Sequence, residues 1–416
     1  MKKLRAYTNV LKFRLNRALK REAVSNYPVE AYVEPTSFCN LGCPACPTGL
    51  RLGERPSKAI DERLFRAALD EVGDYVFRLW MYNWGEPLLH RQTPELIRYA
   101  KAKELNVILS SNLSIPLSDD YIERLVLSGL DTLIVGADGV TEETYARYRV
   151  RGSLRLVREN MLRIRAAKER LGSQTPHVLW QFLVFRHNEA EVAEAVAVHA
   201  SWGADSIKIS PAEMPSPPHD EGFEPSTIPR YNMYHADNLL AREAERQMAE
   251  GRACSWLYGT LVLNPDGRVS PCCGTSAEAN DFGVYAGRGD FFKVWNNGKF
   301  RRARSLFVRQ RARRGEGETR EIMKRADGMA VRVNHSLAAD ELICHRCPIP
   351  FRQADVDVTI LDVSYGLLHS LVHERALRRK LRCALAYLLM GAPYWRRIIR
   401  EYVRKALRRA PPLEAG

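Results

Sequence analysis

Residues 34–49, EPTSFCNLGCPACPTG, hold three cysteines on one short stretch that follows an apolar run at Ala31–Val33. Three thiolates on one loop can bind three irons of a cubane iron–sulfur cluster and leave the fourth iron open. Zinc is the alternative, but structural zinc usually takes four protein ligands, and no fourth ligand stands nearby. The spacing Cys39-x-x-x-Cys43-x-x-Cys46 therefore favours an iron–sulfur site, with zinc left open.

The 416-residue chain reads as strands alternating with helical patterns, which predicts an α/β fold. Six such repeats predict a parallel sheet curved into a partial (β/α)6 TIM-like barrel, followed by a small β-containing domain and C-terminal helices. These folds bind ligands at the carboxyl ends of their strands. The predicted strands are Ala31–Thr36, Phe77–Tyr82, Val107–Ser111, Thr132–Ala137, Val178–Phe185 and Ser206–Ile209.

Five segments are expected along the chain. They are a basic amphipathic helix in residues 1–30, the barrel in 31–210, a linker and helix in 211–253, a second domain in 254–351 with a basic insertion near 308–335, and basic amphipathic helices in 366–416. In the second domain, short β elements are expected at Leu257–Asn264 and Arg268–Ser270, joined by a Pro-Asp-Gly turn.

The cysteine motif and its placement resemble the radical S-adenosylmethionine (SAM) superfamily. The resemblance implies a [4Fe–4S] cluster on Cys39, Cys43 and Cys46, whose open iron binds SAM. It also implies SAM contacts after three further strands, at Gly85-Glu86-Pro87, at Ser111 and Asn112, and at Asp138 with Arg149. The sequence departs from the family pattern at Ala45, where an aromatic residue is usual, and at Trp84 and Leu113, where glycines are usual. No catalytic acid or base is assigned.

A second group of cysteines resembles the SPASM/twitch extension of the same superfamily. The resemblance implies one auxiliary [4Fe–4S] cluster on Cys254, Cys272, Cys344 and Cys347, with Cys273 as the spare neighbour of Cys272. Zinc is again the alternative, because a Cys-x-x-Cys pair with two remote cysteines is also a zinc arrangement. A fully ligated cluster leaves no iron for substrate, so we expect it to transfer electrons.

Basic residues concentrate at the two ends of a chain whose net charge is +14. Residues 1–22 hold eight Lys or Arg against one Glu, and residues 366–416 hold twelve against three. Such amphipathic basic segments suit an anionic membrane surface, nucleic acid, or simple packing on the barrel. We expect a cytoplasmic protein, at most peripheral at the inner membrane face, because there is no secretory signal and no run of about 20 apolar residues.

These features predict a radical SAM oxidoreductase that abstracts hydrogen from a metabolite, glycan or lipid-linked molecule, with flavodoxin or ferredoxin as its reductant. A peptide-modifying maturase is the alternative, against which we count the short segment before the first strand. An RNA-modifying or RNA-binding iron–sulfur protein is a further alternative, with nucleic acid the less favoured partner.

Overall fold

One nine-stranded sheet organises the computed structural model, which describes residues 2–51, 55–212, 223–232, 235, 253–309 and 344. The strands are β1 (Glu30–Val33), β2 (Arg78–Trp80), β3 (Asn106–Ser111), β4 (Thr132–Gly136), β5 (His177–Val184), β6 (Ser206–Pro211), β7 (Thr260–Leu263), β8 (Arg268–Ser270) and β9 (Gly283–Val284). Their order is β6-β5-β4-β3-β2-β1-β7-β8-β9. Strands β1 to β6 pair in parallel, and β8 pairs antiparallel with β7 and β9. The predicted α/β fold class, an open (β/α)6 barrel followed by a small β-containing region, is confirmed.

Helices connect the strands. They are α1 (Lys2–Ala18), α2 (Glu62–Val72), α3 (Thr93–Lys101), α4 (Asp119–Leu127), α5 (Glu142–Tyr148), α6 (Leu154–Arg170), α7 (Val192–Val198), α8 (Trp256–Gly259), α9 (Phe291–Trp295) and α10 (Gly298–Arg309). Their starts follow capping chemistry: the Asp61 carboxylate accepts from the Arg63 amide at 2.7 Å at the start of α2, and Ser118 and Ser153 cap α4 and α6 in the same way.

One element differs from its prediction. Leu257–Asn264 was expected to be a β element throughout, but residues 256–259 form the helical turn α8, and the strand begins only at Thr260. The sulfur of Cys254 accepts the backbone N–H groups of Trp256 and Leu257. Satisfying these amides turns the chain into a helix, which the apolar pattern alone could not reveal.

The two faces of the barrel wall differ in exposure. Along β5, residues 178, 180, 182 and 184 are buried, while residues 179, 181 and 183 are half-buried. Trp180 stacks on Trp202 after α7, with 4.9 Å between ring centroids, so the buried residues face the helices. Gln181 therefore faces inward, and Gly136 of β4 and Lys208 of β6 pair with it in register. We call the space enclosed by these inward-facing residues the lumen.

The N-terminal helix α1 packs against the α8 end of the second region. Its Phe13 ring touches Gly259, and the Arg17 guanidinium donates to the Ala253 carbonyl at 3.0 Å. The chain divides into two units, residues 1–353 and 354–416, and the second lies outside the described residues. So do the predicted C-terminal helices, most of the basic insertion, and Cys383. Among the described helices, none is both long and apolar enough to cross a bilayer.

Candidate SAM and iron–sulfur sites

The three cysteines of the first motif lie on the loop after β1 and line the same apolar cluster. Cys43 is buried within it, and Cys39 and Cys46 pack against it from their half-buried positions. The other members of this cluster, which we call the cysteine cluster, are Leu41, Ala45, Tyr148, Leu183, Phe185, Ala212 and Phe223. A side chain at Gly49 would lie 2.4 Å from the Cys43 carbonyl oxygen, so only glycine lets the loop fold back this tightly.

The electrostatics of this loop fit a cationic cofactor. Burial raises the pKa of the Cys39 thiol to about 12 and that of Cys43 to about 11, and the negative charges of the neighbouring thiolates add to both increases. Arg149 opposes the increase in the pKa of Cys43. Because thiolates are the iron ligands, bound iron would hold all three ionised, and the donor set fits a [4Fe–4S] cluster with one open iron. Across the described residues, no three His, Cys, Asp or Glu side chains converge as ligands of a single ion.

Glu86 supports the loops after β2 and β3 rather than facing solvent. Its carboxylate accepts from the Ser111 hydroxyl at 2.8 Å, from the Leu88 amide at 3.0 Å and from the Asn112 amide at 2.7 Å. Burial raises the pKa of Glu86 to about 7. The Asn112 side-chain amide then lies 3.6 Å from the Cys39 sulfur. Among the SAM contacts predicted after the second and third strands, Asn112 thus has a side chain that reaches the cysteine loop.

A second buried carboxylate, which the sequence argument missed, holds the predicted SAM loop from β1. The Glu34 carboxylate accepts from the Trp84 amide at 2.6 Å and the Gly85 amide at 2.7 Å, and burial raises its pKa to about 7. A side chain at Gly85 would meet the Thr36 carbonyl oxygen at 1.9 Å. Pro87 follows as the first residue of a short 3₁₀ turn. A glutamate at the end of a buried strand, directly before Pro35, was the available signal.

Asp138 and Arg149, each predicted to contact SAM, form an ion pair with each other. The Arg149 Nε lies 2.6 Å from the fully buried Asp138 carboxylate, whose other oxygen accepts from the Leu183 amide at 2.7 Å. Burial raises the pKa of Asp138, and the Arg149 charge opposes that increase. The guanidinium also lies over the Tyr148 ring at 5.1 Å, beside Cys43. Arg149 is therefore positioned at the cysteine cluster, and its contact with SAM stays a prediction.

Two of the auxiliary cysteines are close enough to interact. Cys254 is buried, and its charge contributes, after burial, to raising the pKa of the Cys272 thiol to about 12. Cys273 and Cys344 are half-buried and neither forms a disulfide, while Cys347 lies outside the described residues. Cys254 and Cys272 therefore lie within electrostatic range of each other. As thiols, the two side chains can supply two of the ligands of one iron–sulfur cluster.

The loop after Cys273 is tied to the barrel by two further side chains that the sequence argument missed. Trp84, which replaces a family glycine, donates its indole N–H to the Thr275 carbonyl at 2.9 Å. Arg55, which follows the cysteine loop, forms ion pairs of 2.7 Å with both Asp266 and Asp281. Arg55 stands in no motif, and the family pattern has glycine at the position of Trp84, so only the tertiary contacts identify their roles.

Aromatic rings line the lumen between the barrel and the auxiliary cysteines. Tyr32 of β1 contacts Trp80 of β2 and Trp256 of α8, with ring centroids 5.4 and 5.1 Å apart. Tyr82 extends this group on the Trp80 side at 5.9 Å. The buried Trp80 Nε1 has no hydrogen-bond partner among the described residues. These rings form a continuous apolar wall that ends two residues from Cys254.

Comparison with known proteins identifies two domains in this chain. A family model described as the radical SAM superfamily matches residues 33–196, and one described as an iron–sulfur cluster-binding domain, SPASM, matches residues 254–348. An AdoMet-dependent heme synthase from Methanosarcina barkeri is 29% identical over 127 residues, which is 30% of this chain and 36% of that protein. A PqqA peptide cyclase from Xanthomonas campestris pv. campestris is 24% identical over 188 residues, which is 44% of this chain and 46% of that protein.

The match therefore spans less than half the length of these two curated relatives. A crystal structure of Streptococcus suis SuiB shares the fold, with a TM-score of 0.53 and 14% identity over 72% of each chain. The two family models cover all seven predicted cysteine ligands and every predicted SAM contact. The chain belongs to the radical SAM superfamily and carries a C-terminal SPASM domain, and is accordingly an enzyme whose cofactors are SAM, a SAM-binding [4Fe–4S] cluster and auxiliary iron–sulfur.

Proposed function

We propose that this enzyme cleaves SAM reductively and abstracts a hydrogen atom from a substrate held in the lumen, with one auxiliary [4Fe–4S] cluster as electron acceptor. The observation that carries the proposal is the packing of Cys39, Cys43 and Cys46, on one loop, in a single apolar cluster bordered by Asn112 and Arg149. When bound there, the first cluster supplies the electron that splits SAM into methionine and a 5′-deoxyadenosyl radical. The remaining roles belong to the protein.

The SAM amino acid end is bound by groups on the loops that surround the cysteines. Backbone atoms of Gly85-Glu86-Pro87 take the amino group, since Glu34 and Glu86 hold that loop against the β1 and β3 loops. Arg149 takes the carboxylate, because a planar guanidinium can keep its Asp138 contact at Nε and donate from its outer nitrogens. Ser111 and Asp138 act by orienting Glu86 and Arg149.

The auxiliary cluster is proposed to use Cys254, Cys272, Cys344 and Cys347. The interaction between Cys254 and Cys272 supports Cys272 as one of these ligands. The aromatic wall that ends at Trp256 supports electron transfer from the lumen to this site, because its rings are in contact. A net two-electron oxidation of the substrate would follow, in which a hydrogen atom passes to the 5′-deoxyadenosyl radical, a proton leaves to solvent, and a cluster held by these cysteines would accept one electron.

The substrate is proposed to be a ring-bearing metabolite, glycan or lipid-linked molecule. The aromatic wall offers faces on which a sugar or another ring can stack. Lys208 and Gln181, in register on the opposite part of the lumen, offer a charge and an amide to polar substituents.

A peptide substrate is the second candidate. It is favoured by the PqqA peptide cyclase match, which spans 188 residues of this chain. Analysis of the reaction product distinguishes the two substrate classes, since a peptide substrate would carry the chemical modification on one of its own residues. No described contact favours RNA.

Enzymes of this superfamily take their electron from a reducing partner, and we propose flavodoxin or ferredoxin here. We place the enzyme in the cytoplasm, where thiols stay reduced and cysteines remain available for iron. Anaerobic reconstitution with iron and sulfide, followed by reduction and incubation with SAM, tests the central claim. We expect 5′-deoxyadenosine and about eight irons per chain, from two cubane clusters.

Changing Cys39, Cys43 and Cys46 together to alanine should abolish 5′-deoxyadenosine and leave about four irons on the auxiliary site. The variants Cys272→Ala and Cys273→Ala form a matched pair. The first should lose iron from the auxiliary site, and the second should keep the iron content of the unaltered enzyme. Zinc in place of iron, or SAM cleavage that survives the triple change, would contradict the proposal.

A further inference from the structure

One face of helix α1 is buried against the rest of the protein. Ala6, Val10 and Phe13 are 4%, 8% and 1% exposed. On the same side, Asn9 donates to the Tyr27 carbonyl at 3.0 Å and Asn16 donates to Asn26 at 2.8 Å. The helix is therefore held in a defined rotation, and its other face is fixed toward the outside.

That outer face carries a stripe of leucines. Leu4, Leu11, Leu15 and Leu19 are 70%, 62%, 53% and 56% exposed. Steps of three, four and seven residues place side chains on one side of a helix, and the Leu19 amide continues the helical bonding by donating to Leu15. They are four of the eight large apolar side chains that the described residues expose. Single exposed leucines are ordinary, but a row of four marks a contact surface.

Basic residues border this leucine stripe on both sides. At about 100° per residue, Arg5 and Lys12 lie along one edge and Arg14 along the other. Arg5 and Lys12 are exposed, and Arg14 is half-exposed. From Leu4 to Leu19 the stripe is about 22 Å long and straight. An apolar band between two basic edges has the pattern of a helix that lies in a membrane interface.

We propose that α1 docks the enzyme on a membrane surface rich in anionic lipids, with the leucine stripe in the acyl boundary and the basic edges among the headgroups. Charge complementarity selects this occupant. The segment 366–416 holds twelve Lys or Arg against three Glu, and a second copy would present α1 again, so either would bring positive charge against positive charge. This surface is separate from the SAM site, so the proposal stands or fails independently of the reaction.

The test is co-sedimentation of the full-length reconstituted enzyme with vesicles of phosphatidylcholine alone or with added phosphatidylglycerol. We expect binding to the anionic vesicles, weakened by salt, and little binding to the neutral ones. The double variant L11Q/L15Q should reduce the partition at least about tenfold, since two leucines leave the apolar boundary. K12E should reduce it about fivefold or more.

The matched control is L127Q on α4, because Leu127 is 57% exposed but lies away from the stripe. It should bind vesicles as the unaltered enzyme does. Equal iron content and circular dichroism across the variants confirm that the exposed substitutions leave the fold intact. Four results would overturn the proposal: no binding to anionic vesicles, equal binding by L11Q/L15Q, binding lost only when residues 366–416 are removed, or a stripe that instead mediates self-association or binds an acidic protein.

Discussion

Replacing Arg55 by methionine should destabilise the junction between the cysteine loop and the SPASM region. The Arg55 side chain is 7% exposed and bridges Asp281, which is 2% exposed, and Asp266, which is 13% exposed. Methionine fills the volume of the arginine stem but leaves the Asp281 carboxylate without its cation and Asp266 with only its longer, 3.8 Å ion pair to Arg268. Removing one partner of a buried ion pair costs about 3–5 kcal/mol, because the other charge stays buried and unpaired.

The chain offers a matched control for this substitution. Arg66 pairs with Glu62 at 2.7 Å, but these side chains are 45% and 37% exposed. Surface pairs of this kind contribute little to stability, because solvent screens the two charges. The variant R66M should therefore lose several-fold less stability than R55M, although both remove a guanidinium from a carboxylate.

The assay is anaerobic urea unfolding followed by circular dichroism, with iron released from the protein measured in parallel. The double variant R55M/D281N should recover part of the loss, since it also removes one of the stranded charges. A loss below about 1 kcal/mol for R55M, or equal losses for R55M and R66M, would refute the account of Arg55 as the buried bridge.

Three further predictions concern the loops around the SAM site. The pKa of Glu34, about 7 through burial, lies above its usual 4.5, so its contribution to stability is present below pH 4.5 and lost as pH rises through 7. Between pH 4.5 and 7, the change in the free energy of urea unfolding should be about 3 kcal/mol smaller for E34Q than for the unaltered enzyme, and an equal change would contradict this. The variant R149K keeps the charge beside Asp138 but loses the planar fork, so equilibrium dialysis should show SAM affinity about tenfold weaker at equal iron content. The variant W84F removes the hydrogen bond to Thr275, worth about 1 kcal/mol, so amide exchange in residues 272–281 should be about fivefold faster, and equal exchange would count against the contact.

Much of the barrel could be predicted from the spacing of apolar residues along the sequence. Each of the six predicted barrel strands overlaps an observed strand, because buried parallel strands are continuous apolar runs with helical patterns between them. The strand predicted from Leu257 was wrong at its start because the Cys254 sulfur satisfies the backbone amides that open α8.

Some residues of the site could likewise be predicted from local sequence, and others only from tertiary contacts. Cys39, Cys43 and Cys46 are determined by the sequence itself, since three thiols so close in the chain meet on one loop whatever surrounds them. Asn112 reaches that loop through strand order, which the alternation of elements already implied. Glu34, Arg55 and Trp84 act across 50, 211 and 191 positions of chain. No local pattern records such contacts.

The sequence by itself determined the three-thiol loop and the order of the barrel, because thiol spacing and hydrophobic period are local properties. Only the tertiary structure decided that Asp138 binds Arg149, that Cys254 lies within electrostatic range of Cys272, and that the leucines of α1 face outward. The leucine case shows the reason most directly. An amphipathic helix with two apolar stripes has two ways to pack, and Asn9, Phe13 and Asn16 select one of them only through partners that folding brings together.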